Sequence, residues 1–73
     1  MITIHFYPKF LQEDIDKDAE LAKYRAWLEQ HGDYGRLFMW DMTRKIGDTH
    51  SEITGVRIFE DEMATLFRLL HDV

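Results

Sequence analysis

The feature that most constrains this chain is an absence: its seventy-three residues include no cysteine. A chain this short assembles one core, and domains below about 70–80 residues gain only about 3–5 kcal/mol from it. With no disulfide or zinc thiolate as a staple, stability must come from side-chain packing, from association with another surface, or from both. The same absence excludes thiol nucleophiles and dithiol redox chemistry. The sequence reads as a single domain over residues 1–73.

Hydrophobic periodicity sets the order of elements. From Met1 to Tyr7 the residues alternate, Ile2, Ile4 and Phe6 against Thr3, His5 and Tyr7, which is the period of a half-buried strand; Pro8 ends its pairing. A polar connector from Phe10 to Asp18 follows, with Asp14, Asp16 and Asp18 each placed to cap a helix that runs to about His31. Leu21, Tyr24 and Leu28 form its apolar stripe, widened by Ala22, Ala26 and Trp27, and Gly32 supplies the stop. Arg36 to Arg44 predicts a second strand in which both alternate sets are apolar: Leu37 and Met39 on one side, Phe38, Trp40 and Met42 on the other. The segment Lys45-Ile46-Gly47-Asp48-Thr49-His50 predicts a turn, so Ser51 to Phe59 returns antiparallel with Val56 and Ile58 toward the core. Glu60 or Asp61 then caps a last helix, with Met63, Leu66, Phe67 and Leu70 at core spacing, that ends near His71.

The predicted fold is α+β with the order β-α-β-β-α: a small three-stranded, mainly antiparallel sheet, its third strand central, and two helices packed on one face. The uncovered face is expected to carry His5, Tyr7, Arg57 and one apolar set of the second strand. A face so composed, or an exposed sheet edge, invites a second copy or a partner.

Fourteen acids against nine bases give a net charge of −5, which opposes general attraction to nucleic acid or anionic lipid. No basic segment leads into an apolar one at the amino terminus, and no run approaches the roughly 20 apolar residues of a membrane span, so a cytoplasmic protein with no membrane partner is expected. His5, His31, His50 and His71 lack metal-ligand spacing, Asp48-Thr49-His50-Ser51 reads as turn chemistry rather than a triad, and no glycine-rich phosphate loop is present. No catalytic residue, metal or cofactor is therefore expected. For binding, Tyr7, Phe38 and Trp40 are candidate aromatic anchors. Asp16, Asp18 and Glu20, from the acidic run Glu13 to Glu20, are candidate docking charges. Arg36, Arg44, Lys45 and Arg57 lie on the predicted hairpin and, with the sheet aromatics, make up the alternative of an RNA- or DNA-binding regulator. A third reading is a small dimeric enzyme with its site between subunits.

The stretch Gly55-Val56-Arg57-Ile58-Phe59-Glu60-Asp61-Glu62-Met63-Ala64-Thr65-Leu66-Phe67-Arg68-Leu69 is a strand, an acidic cap and then Ala-x-x-Phe-x-Leu. Over about a fifth of the chain it resembles the ending of many short bacteriophage accessory proteins. It brings no catalytic residue with it. The resemblance implies a small acidic protein-binding module made during infection, which inhibits or modulates a host enzyme or a defence complex of CRISPR or restriction type in the host cytoplasm. Partners are expected in the order host protein or protein complex, second copy of the chain, nucleic acid.

Overall fold

The computed structural model describes residues 1–44 and 51–73, Arg44 through its backbone alone. Strand β1 spans Ile2–His5, a single 3-10 turn covers Lys9–Leu11, and helix α1 spans Lys17–His31. Strand β2 covers Phe38–Arg44, β3 Ser51–Ile58, and helix α2 Asp61–His71. The order β-α-β-β-α and the α+β class are those the sequence predicts. Both strand pairs are antiparallel in the sheet order β1-β3-β2, so the third strand is central. The turn expected over Lys45–His50 lies outside the described residues.

Pairing sets each apolar residue on its side. Ile2 and Ile4 of β1 stand opposite Ile58 and Val56, and Phe38 and Trp40 of β2 stand opposite the same two residues from the other flank. These, with Phe6, form the inner surface of the sheet. Tyr24 and Leu28 of α1, Ala64 and Phe67 of α2, and the connector residues Phe10 and Leu37 close the core over it. The inner rings interlock: Phe6 lies 5.1 Å from both Phe10 and Tyr24, and Tyr24 meets Phe67 edge-on at 5.2 Å. Such aromatic pairs contribute about 0.5–1.5 kcal/mol each beyond the area they bury, which matters in a core this small.

Local details explain the boundaries. Asp16 is the cap that α1 uses, its carboxylate accepting from the Ala19 N–H at 3.2 Å. Gly32 ends the helix with an extended φ of 175°, so it is not there for a left-handed turn. What it provides is room, since a Cβ at that position would sit 2.6 Å from the Leu37 Cβ. The second strand begins at Phe38, later than the expected Arg36, because the Asp33 carbonyl accepts both the Arg36 and Leu37 N–H groups in a turn through Gly35. Between Asp41 and Met42 the β2–β3 register shifts, leaving Thr54 as an extra residue. Its carbonyl accepts the Phe6 N–H at 2.9 Å and so extends the hold of β3 on β1 beyond the last ladder pair.

Candidate functional site

Helix α2 lies on β1 and β3. It turns Ala64 and Phe67 fully inward, with Met63 and His71 half-buried beside them. Rings from α1 set this rotation. Phe67 lies 5.2 Å from Tyr24 and 5.8 Å from Trp27, while His71 lies 4.7 Å from both Tyr24 and Phe67. At 3.6 residues per turn, a helix held by positions 64, 67 and 71 must point 66 and 69 the opposite way. Leu66, Leu69 and Leu70 are accordingly 50%, 77% and 60% exposed. This corrects the expected inward set, in which Leu66 and Leu70 belonged to the core.

The three leucines form an apolar ridge along α2. Asp61 and Glu62 occupy its first turn, and Glu62 and Thr65 flank Leu66 around a shallow hollow of about 350 Å³. Fully burying a leucine side chain stabilises by roughly 1.5–3 kcal/mol, most of which Leu69 forgoes in the isolated chain. Surplus was the signal available in the sequence. Met63, Leu66, Phe67, Leu69 and Leu70 are more apolar residues than one inward stripe of an eleven-residue helix can use.

Leu70 also borders a cleft of about 620 Å³ between α1 and the end of α2, lined by Lys9, Glu20, Lys23, Trp27 and His71 among others. Lys9 Nζ reaches Glu20 Oε2 at 3.5 Å and donates to the His71 carbonyl, and Lys23 reaches Glu20 Oε1 at 3.4 Å. Burial pushes the Glu20 carboxyl up. The Tyr24 hydroxyl, Lys23 and Lys9 outweigh that and hold it below the ordinary carboxylate value. The Tyr24 hydroxyl is itself buried without a hydrogen bond of normal geometry. Burial first, and Glu20 beside it, raise its pKa far above the usual phenol range. Charges in this cleft neutralise one another, so it has little attraction left for an ionic ligand.

His71 makes the cleft acid-sensitive. Burial lowers its pKa, Lys9 and Lys23 add repulsion, and Glu20 opposes them only in part; its Nε2 is buried with no partner among the described residues. Well above pH 6.5 the imidazole is neutral in both folded and unfolded chains and contributes no pH dependence. Below that value the unfolded chain takes up the proton first, so stability falls as pH drops through the window beneath about 6.5. The urea midpoint is expected to decline between pH 7 and pH 5.5, and the His71→Gln variant is expected to lose most of that decline. An equal decline in the variant assigns the effect elsewhere.

The residues singled out from sequence are dispersed. Phe38 is 1% exposed, and Trp40 is half-buried on the same inner side, edge-on to Phe6 at 6.4 Å and to Phe38 at 5.6 Å. Register thus settles which apolar set of β2 faces the helices: Phe38 and Trp40 stand opposite Ile58 and Val56, hence inward, and are not anchors on the outer face. Tyr7 follows the end of β1 at His5, where the chain turns, and its half-buried ring packs against the core edge-on to Phe10 at 6.0 Å. Its hydroxyl donates to Glu52 Oε1 at 2.6 Å, beside Lys17. The outer face carries Thr3, His5, Met39, Asp41 and Arg57. Arg57 there is engaged by Asp41 at 3.0 Å. Arg36 is exposed in the turn before β2; the Arg44 side chain and Lys45 lie outside the described part. Of the acidic run, Asp16 is spent on the cap and Glu20 on its lysines, while Glu13, Asp14 and Asp18 remain exposed.

Among the described residues no three histidine or carboxylate side chains gather as metal ligands, and no helix is long and apolar enough to cross a membrane. Compared with protein-family models, curated proteins and solved structures, the chain has no significant match.

Proposed function

We propose that this chain is a non-enzymatic protein-binding module that docks the outer face of α2 into an apolar groove with a basic rim. One observation carries the reading: Leu66, Leu69 and Leu70 are all half or more exposed on a single helix. Anchors at i, i+3 and i+4 are the form in which an amphipathic helix enters a groove. The basic rim follows from charge, since Glu60, Asp61 and Glu62 lead into the ridge and the whole chain carries −5. Repulsion of that kind selects against acidic partners as well as attracting basic ones.

The resemblance of residues 55–69 to phage accessory proteins supports a finer version, in which the groove belongs to a host enzyme or a defence complex that the module inhibits. Nucleic-acid binding is less favoured, because Phe38 and Trp40 face the core and Arg57 is already paired with Asp41.

The test is retention of proteins from nuclease-treated bacterial lysate on the tagged chain and on its Leu66→Asp/Leu69→Asp variant. A stoichiometric protein held by the parent and lost by the variant, with an unchanged circular dichroism spectrum, is the expected result. Because a tenfold change in affinity needs only about 1.4 kcal/mol, two anchors are ample to release it. Equal retention by both chains, or no protein held by either, sinks the docking role of α2.

A further inference from the structure

We propose that two copies of the chain join edge to edge through β2, antiparallel about a two-fold axis at Met42, giving one continuous six-stranded sheet. The argument begins with backbone direction. Phe59 N–H donates inward to the Leu37 carbonyl at 2.9 Å, whereas the Phe38 carbonyl accepts from Gly35 N–H, on the outer side, at 2.8 Å. Amides alternate along a strand, so those of Trp40, Met42 and Arg44 also point away from β3, toward the free edge of the sheet. Among the described residues only the first position of that edge is covered, by the bridge from Tyr34 to Phe38. Natural edge strands are usually short, carry lysine or proline, or bulge away. Among the sheet's two edges, β1 is short at four residues, but β2 runs for seven, holds neither lysine nor proline, and stays regular because the extra residue at the bulge belongs to β3.

What pairs there must match β2 on both sides. On the inner side it must cover Trp40, half-buried, and Met42, 53% exposed; on the outer side it must suit Asp41 and Thr43. A second β2 does both, since it carries the same alternation. Register follows from the side chains. An axis at Asp41 would set carboxylate directly against carboxylate, which is destabilising. An axis at Trp40 would bring the partner onto Tyr34 and Gly35. With the axis at Met42, Met42 meets its own copy, Asp41 stands opposite Thr43, and the backbones of Trp40 and Arg44 pair. This interface is separate from the leucine ridge of α2, so each is testable without the other.

Sedimentation equilibrium of the purified chain, from about 1 µM to about 500 µM, is expected to show the mass rising toward twice the 8.8 kDa of one copy. Met42→Pro removes an N–H that serves only the edge, and it is expected to stay monomeric with the parent's circular dichroism spectrum. Leu66→Asp/Leu69→Asp is expected to dimerise like the parent. A parent that is monomeric throughout, or a folded Met42→Pro that still doubles its mass, overturns the proposal. Should Met42→Pro not fold, Met42→Cys decides, because Cα atoms in such a hydrogen-bonded pair stand about 5.5 Å apart, within disulfide reach. The parent has no cysteine, so a disulfide-linked dimer on mild oxidation reports the axis directly, and its absence removes it.

Discussion

Phe67→Ala is expected to abolish cooperative unfolding. The ring is wholly buried and touches Tyr24, Trp27 and His71, so it is the link by which α1 and α2 close over the sheet. Removing a buried phenylalanine costs about 3–5 kcal/mol, through lost transfer energy and the cavity left behind. That equals the whole return of about 3–5 kcal/mol that a core of this size provides. The variant should therefore show a sloping urea curve with no baseline for a native state, and near-ultraviolet dichroism close to that of the denatured chain. A sigmoidal curve with a midpoint near the parent's would show that the helices are held by something other than this cluster.

Gly55→Ala is expected to be the second most damaging single change, although it adds only one methyl group. Gly55 lies buried in the central strand, between His5 of β1 and Asp41 of β2. A Cβ there would stand 2.5 Å from the Ile4 carbonyl oxygen. The obstacle is backbone, so no rotamer change relieves it; β1 must move off β3, taking Ile4 and Phe6 out of the core. Overpacking typically costs about 1–3 kcal/mol, and this case belongs at the upper end or above. For a domain of this size that is a fall of roughly 12 °C or more in the thermal midpoint. Gly35→Ala makes the comparison: Gly35 has φ of 86° but nothing within 4 Å of its Cβ position, so only backbone strain of about 1–2 kcal/mol applies. Thermal melts of the two variants side by side test the ranking, and a smaller loss for Gly55→Ala would refute it.

These two positions also show how far the sequence reaches. Alternation at Ile2, Ile4, Phe6, Val56 and Ile58 was enough to place two strands and their inner face, because every second residue there is polar or glycine. Acids gathered at the helix start were enough to name Asp16 among three candidate caps. Turn residues and helical spacing supplied the order β-α-β-β-α, and the lack of cysteine closed off thiol chemistry. Each of these is a local property, decided by the period of a strand or by a hydrogen bond within one turn.

What the tertiary structure alone decided are the choices local patterns left equal. Strand β2 has apolar residues in both alternate sets, so only its register on β3 could send Phe38 and Trp40 inward and leave Met39 outside. Helix α2 carries more apolar residues than one face holds. Its rotation was settled by the rings of Tyr24 and Trp27, which claimed Phe67 and His71 and left Leu66, Leu69 and Leu70 in solvent. Gly55 looks replaceable until β1 is laid beside it, and Gly32 until Leu37 is. The exposed leucine ridge thus consists of what the core left over, and a remainder is fixed only once the distant partners in the core have been chosen.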